Sequence, residues 1–190
     1  MTPSTVATTA DCPHFVCART PRYSQRIDPE SWPAGFLLED GNDAHWSTRA
    51  CGLACLRSVL AFHGKTDIPL FTLLREAVAA GFYTERGLLH AGLATMAVAR
   101  GVSATAMAAP DLTHVSQLLH DTRAPLIASV TLQFPQDGRR GGHLVVVSAL
   151  DDEPDPWICF RDPSTWGETN TRVPAARFAA SYTGRVIAFG

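Results

Sequence analysis

Cys51 opens the stretch RACGLACLRSVLAFHG, residues 49–64, and its position is the first chemical signal in the chain. Leu53, Leu56, Leu60 and Val59 recur at helical spacing, and Gly64 is placed to end the helix. Cys51 therefore falls at a helix N-terminus, where unpaired backbone N–H groups and the positive end of the helix dipole favour an anion. A thiolate is such an anion. The plain alternative is a small apolar residue turned to the core, as free cysteines often are.

A thiolate nucleophile needs a base, and the base needs an orienting group. Of seven histidines, His143 stands out: it follows RRGG and opens the apolar run HLVVVSAL. Gly141 and Gly142 before it allow close approach of backbone or substrate. Asp162 closes the next apolar run, WICFRD, just ahead of Pro163. Paired as a hairpin, these two runs bring His143 and Asp162 to the same end of a sheet, as a histidine-orienting carboxylate requires. Read singly, His143 is a surface strand residue and Asp162 an Asp-Pro turn. Together with Cys51 they form a nucleophile, base and orienter in chain order.

The elements that must position them follow from the hydrophobic pattern. Helices are expected over 51–63, 70–80, 86–100 and 111–121, the last with Asp111 as N-cap after Pro110. After Pro125 the pattern changes to β-branched and aromatic runs at 126–134, 143–150, 157–162 and 185–189, separated by turn residues. Helices first and an antiparallel sheet second predict an α+β fold of two lobes with a ligand cleft between them. A disordered tail is expected over 1–20 and a single domain over 21–190. Proline and aromatic residues up to position 48 make the start of that domain an ordered but irregular arm.

The chain of 190 residues is 46% hydrophobic and 18% charged with a net charge of −2, the balance of a globular protein. Its only basic cluster is Arg139-Arg140, too short for a nucleic-acid footprint. No apolar run reaches the length of about 18 residues that a membrane helix needs, and no secretory signal is visible at the N-terminus. Five irregularly spaced cysteines argue against a disulfide framework, and a cytoplasmic location is expected. Cys12, His14 and Cys17 supply fewer ligands than a structural zinc takes, so no metal or other cofactor is expected. Cys55 is assigned to packing, His90 to the core or the lobe interface, and His63 to a cation at a helix C-terminus. Trp46, Trp157 and Trp166 are expected to line or support the cleft.

The three segments RACGLACLRSVLAFHG, GGHLVVVSALDD and ICFRDPS resemble the papain-like bacteriocin-processing (double-glycine) peptidase family and its stand-alone relatives. The resemblance covers about 22–190 and implies a papain-like fold with a helical N-terminal lobe and an antiparallel C-terminal sheet. It implies Cys51 as nucleophile, His143 as general base and acid, and Asp162 as orienting residue. The family also carries an oxyanion-hole glutamine upstream of the cysteine. Its usual short spacing points here to His45, and the better match is Gln25 in PRYSQRIDPESW. The implied activity is attack on a peptide or amide bond through an acyl-enzyme. Water then makes the protein a peptidase or amidase, and an amine acceptor makes it an acyltransferase, as in a natural-product pathway. The alternative is a non-catalytic domain of the same fold that binds a peptide or leader segment. Competent residues at all three triad positions argue against it.

Overall fold

The structure, a computed structural model, describes residues 13–28, 30, 43–66, 68–85, 87–151 and 154–190, and of residues 13–15 the backbone only. In chain order its elements are α1 (Pro13–Arg19), α2 (Asp43–Arg49), α3 (Cys51–Phe62), α4 (Leu70–Ala79), β1 (Tyr83–Thr84), β2 (Gly87–Leu88), α5 (His90–Val98), β3 (Ala104–Ala108), α6 (Leu112–Thr122), β4 (Leu126–Val130), β5 (His143–Leu150), β6 (Trp157–Arg161), β7 (Arg172–Pro174), α7 (Ala175–Ser181) and β8 (Arg185–Phe189). The principal sheet has the order β3-β8-β4-β5-β6-β7. All its pairings are antiparallel. This is the α+β class expected from the sequence.

Helix α3 lies against the sheet, on β5 and β4, and also touches α4 and α5. Leu53, Leu56 and Leu60 are completely buried, each contributing about 1.5–3 kcal/mol by removal from water. They make α3 a fixed platform for its first residue. One core lies on this face, joining α3, α4 and α5 to Leu144, Val146 and Ile187. A second core on the opposite face joins Val145, Val147, Phe160 and Val186 to Phe134 and Phe178. Strands β4 and β5 are thus covered on both faces, which is why their sequences read as continuous apolar runs.

Several boundaries depart from the sequence reading. Residues 13–19, expected in the disordered tail, form α1. The Arg161 guanidinium anchors its end, donating to the carbonyls of Cys17 at 2.6 Å and Thr20 at 3.0 Å. The helix expected over 86–100 begins only at His90, because Gly87 at φ +101° belongs to the β1–β2 hairpin. The strand expected over 126–134 stops at Val130. Gln133 and Phe134 then adopt φ of 63° and 47°, conformations rare outside glycine. The complete burial of Phe134 and the Arg177 donations to both carbonyls (2.7 and 3.0 Å) hold that turn. Strand β3 gave no signal because its sequence, ATAMA, has little β-propensity.

Candidate active site

Cys51 is the first residue of α3, and the residue before it, Ala50, offers no side-chain cap. The first N–H groups of the helix are therefore left without a capping side chain at the position of the Cys51 thiol. Cys51 is partly exposed and lines a cleft of about 260 Å³ together with Thr48, Arg49, Ser129, Gly142 and His143. The glycine after it answers a packing demand. A Cβ on Gly52 would stand 2.9 Å from Leu144 and 3.0 Å from Leu88 and Leu93. Without a side chain there, β5 approaches the helix start closely and brings His143 with it.

His143 is the first residue of β5 and pairs with Val130 of β4. Gly141 and Gly142, at φ of 82° and 87°, turn the chain into that strand. On the neighbouring strand Val146 pairs with Arg161, so the residue after Arg161 lies at the His143 end of the sheet. That residue is Asp162. The His143 Nε2 lies 2.9 Å from Asp162 Oδ1, and both residues are buried. The imidazole shares the cleft with the Cys51 thiol, which acts on its protonation. Burial pushes the imidazole pKa down, but the Asp162 hydrogen bond, the interaction with Cys51 and the negative charge of both partners outweigh it and raise it to about 9. Burial pushes the Asp162 carboxyl up, yet its bond to His143 and the Ser164 N–H (2.7 Å from Oδ1) hold it below the usual carboxylate range.

The arm upstream of α2 holds the Asp162 turn from outside. Arg22 donates from Nε to the Asp162 carbonyl at 2.7 Å and from Nη2 to the Ser164 carbonyl at 2.6 Å. The Gln25 backbone N–H takes the carbonyl between them, Pro163, at 2.9 Å. Every carbonyl of Asp162-Pro163-Ser164 is therefore claimed by residues of one short segment. The Gln25 side-chain amide donates to the Ser47 carbonyl at 2.8 Å, on the helix that leads into Cys51. Its Oε1 is buried without a hydrogen-bond partner. Tyr23 lies under the Arg57 guanidinium of α3 at 4.1 Å, and the Ile27 N–H donates to Ser47 Oγ at 2.8 Å. Residues 22–27 thus pack on α2 through Ser47 and on the middle of α3 through Arg57, and Gln25 is not among the residues that line the cleft with Cys51. Arg22 had no signal in the sequence, since nothing local marks an arginine whose partners lie 140 residues away.

The remaining candidates separate. His45 is exposed on α2, its ring edge-on to Trp46 at 5.3 Å. Cys55 is buried one turn below Cys51, and its thiol donates to the Leu144 carbonyl at 3.2 Å. Burial, then the charges at Cys51 and Asp162, push that thiol well up and keep it protonated. Trp46 is buried against Tyr83 at 4.9 Å, and the Tyr83 hydroxyl donates to the Arg49 carbonyl beside the cleft. Trp166 stacks on Phe160 in the second core, and Trp157 lies under Arg172, so neither lines this cleft. His90, half-buried, does line it. His63 is the C-cap of α3, and burial pushes its pKa down, which disfavours the cation expected there. Cys12 and the His14 side chain lie outside the described residues. Among the described residues no cluster of His, Cys, Asp or Glu could hold a metal, and no helix is long and apolar enough to cross a membrane.

A helix that begins with cysteine, packed on an antiparallel sheet that presents a histidine and a carboxylate, is the arrangement of a papain-like cysteine peptidase. The chain belongs to the Peptidase C39 family, whose model matches residues 44–190. Cysteine peptidase is the activity this membership supports. Among solved structures, the peptidase domain of Streptococcus ComA, a bi-functional ABC transporter involved in quorum sensing, superposes with a TM-score of 0.56 at 26% identity. That match covers 75% of this chain and 92% of the ComA domain. A putative C39-like peptidase from Bacillus anthracis shares the fold more extensively, with a TM-score of 0.60 at 15% identity over 90% of this chain and 94% of its own. A double-glycine motif protease from an AMS/PCAT transporter, solved in complex with a leader peptide, gives a TM-score of 0.50 at 21% identity. It covers 73% of this chain and 82% of its own. No curated protein matches the chain in sequence.

Proposed function

We propose that the protein hydrolyses a peptide bond through a Cys51–His143–Asp162 triad. The observation that carries this reading is the contact of His143 with Asp162 Oδ1, at 2.9 Å, in the cleft that His143 lines together with Cys51 at a helix start. Nε2 faces the carboxylate, which leaves Nδ1 to serve the thiol. Cys51 Sγ attacks the carbonyl carbon while its proton rests on His143, and Asp162 holds the imidazolium that results. The Cys51 N–H and the Gln25 side-chain amide stabilise the developing oxyanion. The amide already donates one N–H to Ser47, and a second N–H remains for this role. His143 then protonates the leaving amine, and a water activated by the same imidazole cleaves the thioester.

Family membership supports hydrolysis. Transfer to an amine, and with it a biosynthetic role, has no support among the relatives and is distinguished by the product. The substrate class we infer is a peptide segment of the leader type, in line with the complex solved for the AMS/PCAT protease. A cytoplasmic setting goes with that substrate. The test is mass spectrometry of a set of leader-like peptides with internal Gly-Gly pairs, incubated with the wild type and with Cys51→Ala. A single cut by the wild type alone supports the reading. Equal cutting by both proteins, or a peptide bound uncut by the wild type, overturns it, and the second outcome would favour the leader-binding alternative.

A further inference from the structure

Two cysteines stand outside the cleft chemistry. Cys17 lies on α1 and Cys159 on β6, both partly exposed, and their thiols interact on the face of β6 from which Arg161, two residues on from Cys159, reaches Cys17. The surroundings are polar and specific. Arg161 Nη2 donates to the Cys17 carbonyl at 2.6 Å and stands 3.5 Å from Cys17 Sγ. The Ser148 hydroxyl donates to the Cys159 carbonyl at 3.3 Å and also meets the Cys17 thiol. One sulfur is thus surrounded by a guanidinium, a hydroxyl and a second thiol, the setting in which a thiolate is stable and a resolving thiol is at hand.

We propose that Cys17 and Cys159 form a peroxide-responsive dithiol, which closes to a disulfide tying α1 to β6 three residues ahead of Asp162. Cys17 attacks as thiolate. The interaction with Cys159, those with Ser148 and Arg161 and the Arg161 charge outweigh burial and bring its pKa down to about 5. Cys159 is pushed up, first by that same interaction and then by burial, so it remains the protonated partner.

The chemistry balances with a hydroperoxide as oxidant. The Cys17 thiolate takes the terminal peroxide oxygen, the O–O bond breaks, and the departing oxygen leaves as hydroxide or alkoxide carrying the electron pair. Cys17 is now a sulfenic acid. Cys159 gives its proton to the departing base, its sulfur attacks Cys17 Sγ, and the S–O bond breaks with release of the second oxygen as water once protonated. Two thiols lose two electrons, and one peroxide is reduced by two. Cys55, whose buried thiol stays protonated against the Leu144 carbonyl, is no competitor.

The test uses the full chain carrying Cys51→Ala, so that the cleft nucleophile does not contribute. After brief exposure to hydrogen peroxide, the intact mass should fall by two hydrogens, and non-reducing peptide mapping should join the Cys17 and Cys159 peptides. With Cys159→Ser added, Cys17 should stop at the sulfenic acid and be trapped by dimedone. In the absence of oxidant, iodoacetamide near pH 6.5 should alkylate Cys17 more than about tenfold faster than Cys159. A cross-link from Cys17 to Cys12, alkylation of the two at equal rates, or no cross-link in the folded protein overturns the proposal. None of these outcomes bears on peptide cleavage by Cys51.

Discussion

Arg22 Nε stands 2.7 Å from the carbonyl oxygen of Asp162, and the same guanidinium reaches the Ser164 carbonyl at 2.6 Å. The carboxylate that faces His143 is therefore fixed by its backbone as well as by its side chain. Gly167 completes the turn: a Cβ there would stand 2.1 Å from the Asp162 carbonyl.

Arg22→Ala removes two charge-assisted hydrogen bonds, each typically worth about 1.5–3 kcal/mol. With the turn loosened, the carboxylate no longer holds one imidazole orientation. Turnover should fall roughly ten- to a hundredfold with KM little changed, and Arg22→Lys should recover only part of it, because a lysine cannot hold both carbonyls at once. Steady-state kinetics on the three proteins check this. Wild-type turnover in Arg22→Ala would remove the turn from the account.

The His143 imidazole gives a pH signature. Its folded pKa of about 9 lies above the ordinary 6.5. The protonated form therefore adds stability that is fully present below about 6.5 and is lost as pH rises through about 9. Activity that depends on the imidazolium should decline over the same upper limb. In Asp162→Asn the hydrogen bond to a carboxylate and its charge are gone, and the transition should move down from about 9, with only the influence of Cys51 left to oppose burial. An NMR titration of the imidazole Cε1–H resolves both values. The same midpoint in wild type and variant would show that Asp162 does not govern the histidine.

Gln25→Ala tests the proposed oxyanion donor. The amide lost also bonded the Ser47 carbonyl, worth about 1 kcal/mol, so stability should drop only slightly. Loss of an oxyanion donor costs about a hundredfold or more in turnover. Gln25→Glu keeps the shape and removes the donor, and should be as impaired as the alanine variant. Thermal melts beside turnover separate the two effects. An active Gln25→Glu enzyme, or a His45→Ala variant that loses as much, would move the oxyanion donor elsewhere.

Much of this arrangement was legible in the chain. The helix from Cys51, the strand from His143 and the strand ending before Asp162 are local patterns, and antiparallel pairing of two successive strands needs no further information to bring His143 and Asp162 together. What the sequence hid was either non-local or against propensity. Arg22 and Gln25 act on a turn far along the chain, and only the family resemblance singled out Gln25. The Cys17–Cys159 contact joins an N-terminal helix expected to be disordered to a strand near the other end. Strand β3, ATAMA, is mostly alanine, and the 86–100 pattern concealed a hairpin to which Gly87, at φ +101°, belongs.

The central claim is that Cys51 is the nucleophile and that His143 activates it. A peptidyl electrophile resembling the acyl part of the substrate, such as a chloromethyl ketone on a short peptide ending in Gly-Gly, measures this directly, because it reacts only where a thiolate and a bound peptide meet. The account predicts a single adduct mapping to Cys51. It should be unchanged in Cys17→Ser, slowed by a hundredfold or more in His143→Ala, and blocked by prior binding of a leader-like peptide. An adduct on Cys17 or Cys159 with Cys51 free, or labelling of Cys51 that proceeds equally fast without His143, would contradict it.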